Sequence, residues 1–236
     1  MRASKQNSNR NHNLTYGEVV PVSIEEKVLP ALGKLTSEDV FYDLGSGSGK
    51  IPLQVALQTN VGKSAGIEFA RQRATAADRM WDRLASVDTA GIQARARVIG
   101  WEAGQAEDAA AALADALAGA QRRLSLIHGD FIREDISDAT VVFINNAVFE
   151  PDLMAALLRR LAELPRLKRV VCLRKLCYRC GRRCDRRMEP CTVFQRPPKE
   201  ATIRPTWTHE TTLFTYIRHP KLEHFWGTPT ESKAET

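Results

Sequence analysis

Val40-Phe41-Tyr42-Asp43-Leu44-Gly45-Ser46-Gly47-Ser48-Gly49-Lys50 is the stretch on which the fold turns. A short apolar run stops at glycine, so residues 40–44 predict a strand. A helix is predicted over residues 50–59. Glycines at 45, 47 and 49 tolerate positive φ and let the backbone approach a ligand closely. A P-loop requires Gly-Lys-Ser/Thr at its end, and Gly49-Lys50 is followed by Ile51. A nucleophile elbow requires serine at the centre of Gly-x-Ser-x-Gly, and the centre here is Gly47. A dinucleotide fingerprint requires Gly-x-Gly-x-x-Gly; the spacing here is Gly-x-Gly-x-Gly behind an acid.

Outward from this loop, strands are predicted over residues 65–68, 124–128, 140–144, 169–173 and 211–218. Helices are predicted over 16–35, 71–85, 107–121 and 150–164. Ser23 has the position of an N-cap for the first helix, with Glu26 at capping-box spacing. Strand and helix alternate, which predicts an α/β fold: a mostly parallel sheet with helices on both faces. Ligands then bind at the carboxyl ends of the strands, near the topological switch point. The expected domain covers residues 14–226, between a flexible arm, 1–13, and a flexible tail, 227–236. Residues 86–123 are read as an excursion on the domain edge.

The 236 residues are 43% hydrophobic, which suits a folded core and excludes global disorder. No apolar run reaches the ~18 residues that span a bilayer. The polar first residues carry no signal-peptide pattern, so a cytosolic or nuclear protein is expected. Between Arg166 and Arg187 ten Lys/Arg face one acid, Asp185. That is +9 locally against +6 overall, so the rest of the chain sums to −3. Such a patch favours a polyanionic partner, nucleic acid first, over a merely solvated loop. All five cysteines fall between Cys172 and Cys191. Cys177, Cys180, Cys184 and Cys191, in the basic insertion 174–200, offer four thiolates to zinc, and Cys177-x2-Cys180 has knuckle spacing. The other gaps are unusual, so free thiols are the preferred reading and zinc the alternative.

The glycine loop after an acidic strand is similar to the first motif of Rossmann-like methyltransferases that use S-adenosylmethionine (SAM). The acid expected at the end of the second strand is Glu68, whose carboxylate accepts two ribose hydroxyls. Asp130 follows the third strand, where a polar residue meets the adenine amine, and Phe131 is read as stacking on the ring. Further residues sharpen the likeness. Tyr16-Gly17-Glu18, Asp43 to Gly49, Gly129-Asp130-Phe131 and the run Val142-Phe143-Ile144-Asn145-Asn146-Ala147-Val148-Phe149 occur in order. Together they resemble the non-SET histone H3 lysine methyltransferases named for disrupting telomeric silencing.

The resemblance implies a seven-stranded sheet and roles for single residues. Tyr16 and Glu18 would close over the methionine end of SAM. Asp43, Gly45, Gly47, Gly49 and Glu68 would hold its sugar and methionine, Asp130 and Phe131 its adenine. Asn145 would sit beside the methyl group and the target lysine. Tyr16, Phe149 and Phe214 would wall the lysine channel, though the family has tyrosine where Phe214 stands. Trp207-Thr208 resembles the family's late Trp-Thr segment. The implied substrate is a lysine in the folded part of histone H3, in nucleosomes and so in the nucleus, with the basic segment meeting DNA phosphates. Two rivals are a nucleic-acid methyltransferase and a silent SAM-fold module that only binds chromatin or RNA. The first expects Pro-Pro after the asparagine, where this chain has Asn146-Ala147.

Overall fold

The computed structural model describes residues 17–176, 193–195 and 197–219. The arm 1–13, the tail 227–236, Tyr16 and the four zinc-candidate cysteines lie outside the described residues.

Seven strands make one sheet: β1 Val40–Leu44, β2 Lys63–Glu68, β3 Leu124–His128, β4 Val141–Ile144, β5 Arg169–Cys172, β6 Lys199–Ile203 and β7 Thr211–Ile217. Their spatial order is β3-β2-β1-β4-β5-β7-β6. Pairings from β3 to β5 are parallel, and β7 runs antiparallel to both β5 and β6. This is the Rossmann-like methyltransferase sheet, and its order reverses between β1 and β4. β6 escapes a pattern search because Lys199-Glu200-Ala201-Thr202 is polar and exposed, as suits an edge strand. It also ends the basic insertion before residue 200.

The central strands read as unbroken apolar runs because both faces are covered. Tyr42, Leu44, Val142, Ile144 and Val170 point to one core with Leu157 and Leu161. Phe41, Val141, Phe143 and Val171 point to the other, with Ile24, Val28, Leu32 and Val55. The first core is closed by helix Pro151–Glu163. Burying Leu157, Leu158 and Leu161 there stabilises by roughly 1.5–3 kcal/mol each. Arg218 donates to the carbonyls of Leu164 and Ala162, capping that helix's end.

The opposite face carries two helices. Pro21–Ser23, Ile24–Val28 and Leu29–Leu32 form one continuous helix, α1; Lys50–Gln58 is α2. The cap of α1 corrects the sequence reading. Ser23 is inside the helix and buried, and its Oγ accepts from Arg204 N–H at 3.3 Å. Val20 is the capping position and Pro21 the first helical residue, where a missing N–H is harmless. The middle of α1 is a π turn, with Leu29 N–H donating to Ile24 O. Pro30 follows directly, and the widened turn relieves the clash its ring would make one turn back.

Three helices lie between β2 and β3: α3 Arg71–Ala85, α4 Thr89–Val98 and α5 Ala103–Arg123. The last two form the expected excursion. In α5 a stripe of Ala106, Ala110, Leu117 and Ala120 is buried, a facing that the alanine run alone does not reveal. The turn between α4 and α5 leaves Val98, Ile99 and Trp101 exposed. Helix Pro151–Glu163 is α6.

At the amino ends of the strands a polar staple ties the sheet. The buried Asp39 accepts from Thr36 N–H and Oγ1, from Thr140 Oγ1 at 3.0 Å and from Lys168 Nζ at 2.9 Å. Burial alone would raise its pKa, but Lys168 and the three other donor groups win and hold it at about 2.

Candidate functional site

At the opposite, carboxyl edge the glycine loop crosses from β1 to α2. Gly45, Gly47 and Gly49 all have positive φ, at 86°, 56° and 75°. The N–H groups of Gly45 and Ser46 donate to Ile67 O at 2.8 and 3.1 Å, folding the loop back over β2. A small cleft, partly open to solvent, lies above it. Its lining comes from three stretches: Gly17 to Val19, Asp43 to Ile51 and the end of β4 with Asn145.

The Gly17-Glu18 segment is held from three sides. Glu18 N–H donates to Thr206 Oγ1 at 3.0 Å, and Thr206 N–H returns a bond to Glu18 O at 2.8 Å. The Trp207 ring lies on Gly17, where a Cβ would stand 2.6 Å from Cδ2. The Asn145 amide donates through Nδ2 to Gly17 O at 2.9 Å. Below, the Glu18 carboxylate pairs with Lys50 Nζ and accepts from Ser48 Oγ, which fastens the segment to the glycine loop.

The two asparagines part company. Asn145 is half-buried and borders the cleft. Asn146 is fully buried, accepts from the N–H groups of Leu173 and Arg174 at 3.0 and 2.8 Å, and donates to Arg174 O at 3.0 Å. It joins the ends of β4 and β5. The Arg174 guanidinium adds bonds to the Ala147 and Phe149 carbonyls.

The acids also divide. Glu68 is 4% exposed; its carboxylate accepts from Gly47 N–H at 2.8 Å, Ala70 N–H at 2.7 Å and the Arg73 guanidinium at 2.7 Å. Asp43 borders the cleft, and its buried Oδ1 has no hydrogen-bond partner among the described residues. Burial, then the charge of Glu68, pushes the Asp43 carboxyl well above the usual carboxylate range. A cleft with bare positive-φ glycines and one orphaned buried carboxylate oxygen fits a ligand that carries a cationic group. SAM is such a ligand.

The aromatic residues expected at the site are redistributed. Phe131 is 7% exposed and stacked on Phe149, with centroids 5.8 Å apart, so its ring is not offered at the edge. Phe69, immediately after Glu68, is 69% exposed there, and His128 Nε2 lies 3.2 Å from its carbonyl oxygen. Sequence reading passed over Phe69; an aromatic directly behind the strand-end acid was the available signal. Asp130 accepts from Ile132 N–H at 2.9 Å. Phe149 does reach the glycine loop, 3.6 Å from where a Gly45 Cβ would be. Phe214 packs in the core under Lys175 Nζ, 5.4 Å above its ring, and is not among the cleft residues. Its place on β7 opposite Cys172 turns it inward.

The described cations of the basic segment also make bonds within the fold. Lys168 bonds Asp39, Arg169 and Arg166 reach the carbonyls of Ala31 and Glu38, Arg174 clips the Phe149 loop, and Lys175 pairs with Glu200.

The family model described as histone methylation protein DOT1 matches residues 3–96 and 111–215. The unmatched stretch, 97–110, contains the exposed Val98, Ile99 and Trp101. A histone-lysine N-methyltransferase of Drosophila melanogaster, H3 lysine-79 specific, is 30% identical over 182 residues, 74% of this chain and 8% of that one. A protein-lysine N-methyltransferase of Saccharolobus islandicus is 29% identical over 133 residues, 55% of this chain and 62% of that one. The chain thus spans less than two thirds of the length of these curated relatives. A crystal structure of a dimethyladenosine transferase from Plasmodium falciparum superposes with a TM-score of 0.51 at 13% identity, over 87% of this chain and 64% of that one, a likeness of fold alone.

Proposed function

The chain belongs to the DOT1 family of histone methylation proteins, and from that premise we propose that it methylates a lysine in the folded core of histone H3, using SAM, on nucleosomes in the nucleus. One observation supports this above the rest. Gly17-Glu18, Asn145 and Thr206-Trp207, far apart in sequence, meet at one cleft beside the glycine loop.

Gly45 to Ser48 and Asp43 would hold the methionine end of SAM and Glu68 its ribose; Phe69 and Asp130 would border its adenine. The cofactor supplies an electrophilic methyl group on a sulfonium. The lysine must meet it as a neutral amine. A free lysine has a pKa near ~10.4, so deprotonation at pH 7 costs about 4–5 kcal/mol. A dry aromatic passage offsets part of this by disfavouring the ammonium. Phe149, which reaches the glycine loop, would form one wall of that passage, and Phe214 backs the site from the core. Asn145 has Nδ2 committed to Gly17. Its Oδ1 therefore accepts from the amine and aims the lone pair, while water carries the proton away. Positioning of this kind supplies much of the rate.

Docking on the nucleosome falls to the basic segment Arg166–Arg187, in which Lys168 and Lys175 stay largely exposed while bonding within the fold, and Arg179 to Arg187 lie outside the described residues. Nucleosome binding then weakens steeply with salt. The Saccharolobus relative, named as a protein-lysine N-methyltransferase, favours a second reading: a protein-lysine methyltransferase whose substrate is a protein other than histone H3.

Incubation with SAM and reconstituted nucleosomes, followed by peptide mass spectrometry of H3, tests the proposal. A methylated lysine in the H3 core is expected. An unmodified H3 alongside methylated lysine on another protein would favour the second reading. Cofactor binding without any methylated product would favour the silent module.

A further inference from the structure

Two carboxylates are buried at the carboxyl ends of adjacent strands, Asp43 on β1 and Glu68 on β2, at 2% and 4% exposure. Their surroundings are unequal. Glu68 receives two backbone N–H groups and the Arg73 guanidinium. Asp43 Oδ1 receives nothing from the described residues. The cations nearest the cleft are engaged elsewhere: Arg73 with Glu68 and Lys50 with Glu18. The other charged group lining the cleft is Glu18; β4 contributes only Phe143 and Asn145, both uncharged. Among the described residues Asp43 is therefore a second negative group beside Glu68 with no counter-ion. An ionised carboxylate withdrawn from water without donor or counter-ion is so costly that the group takes up a proton instead. Glu68 already receives three donors.

A cation entering the cleft reverses that balance. It supplies the missing partner and makes the ionised form of Asp43 the favoured one. Resting on the cofactor reading above, we propose that Asp43 selects the ligand by charge: its carboxyl carries a proton in the unliganded protein and releases it to solvent when a positively charged group of SAM arrives. The O–H bond of the acid breaks, the proton leaves to buffer, and the ligand's charge replaces it. SAM carries an ammonium and a sulfonium, whereas 5′-methylthioadenosine keeps the adenosine and thioether and carries neither charge. Asp43 thus separates the charged donor from its uncharged fragment. The sign of the pH dependence follows: a proton lost on binding makes SAM bind more tightly as pH rises, until Asp43 is ionised in the unliganded protein as well.

Titration calorimetry at about pH 6, in buffers of different ionisation enthalpy, reads this directly, because the ligand's own α-amino group stays protonated there. The wild-type chain should release about one proton per SAM bound, and its Kd should tighten by up to about tenfold per pH unit. Binding of 5′-methylthioadenosine should release none and be flat with pH. Asp43→Asn should bind SAM without buffer dependence or pH slope. It should keep its affinity for 5′-methylthioadenosine, showing that the cleft is still formed. Equal proton release in wild type and Asp43→Asn, or with the uncharged fragment, overturns the proposal, as does SAM binding with no release at all. Absence of binding by SAM and by the fragment alike would instead overturn the cofactor reading and the proposal with it.

Discussion

Gly17→Ala tests the clamp over the cleft. A methyl group there would stand 2.6 Å from Trp207 Cδ2, far inside contact distance, so either Trp207 or the Gly17-Glu18 segment must move. Movement endangers three hydrogen bonds: two between Glu18 and Thr206 at 3.0 and 2.8 Å, and one from Asn145 to Gly17 O at 2.9 Å. Each contributes about 0.5–1.5 kcal/mol, and part-exposed bonds lie at the low end. Losing the set costs about 2 kcal/mol, or roughly 30-fold in affinity for a ligand the segment must cover. Calorimetric titration with S-adenosylhomocysteine measures it. The segment is peripheral, so thermal stability should change far less than affinity. Trp207→Ala removes the obstacle. In that background Gly17→Ala should cost several-fold less, a coupling above about 1 kcal/mol. Additive single effects, or a Gly17→Ala variant within twofold of wild type, would refute the clamp.

Asn145→Ala should leave stability within about 1 kcal/mol of wild type and abolish nucleosome methylation. Asn146→Ala strips partners from the Leu173 and Arg174 N–H groups and should destabilise the fold by about 3 kcal/mol in urea denaturation. Equal stability losses in the two variants would contradict the division between them. Asp39 has a folded pKa of about 2 against an ordinary 3.8, so it contributes about 2 kcal/mol above pH ~4, lost as pH falls through about 2. Asp39→Asn should be destabilised at neutral pH by at least that amount, with the gap to wild type closing in acid; a gap that does not change with pH would count against it. Phe69→Ala should weaken S-adenosylhomocysteine and 5′-methylthioadenosine equally, by about tenfold, without lowering the melting temperature. An unchanged affinity for both would remove Phe69 from the adenine site.

The loop from Asp43 to Gly49 was legible because its requirement is local: strand, glycines and helix succeed one another within a dozen residues. Helix α3 was legible for the same reason. Ser23 misled because a capping serine and a buried serine that accepts from Arg204, 181 residues away, look alike in sequence. Asn145 and Asn146 are neighbours at a strand end, and alternation sends one to the cleft and the other into the β4–β5 junction. Periodicity gives the alternation but not which of the two faces the ligand. Phe131 and Phe214 are apolar residues near the right strand ends, yet their partners, Phe149 and Lys175, are fixed only by tertiary packing. The basic run concealed its own use in the same way: Lys168 and Arg174 read as free charge until Asp39 and the Phe149 carbonyl come beside them.

The Asp39 staple and the cleft lie at opposite edges of the same strands, and this separation bears on how the protein changes over generations. Substitutions among Gly17, Glu18, Asn145 and Trp207 reshape the cleft rim while the Thr140 and Lys168 anchors go on holding the sheet in register. A lineage can therefore vary that rim by drift, without first acquiring compensating mutations at the other. Laboratory selection that randomises the cleft rim should recover folded, expressible variants far more often than selection that randomises Thr36, Asp39, Thr140 and Lys168.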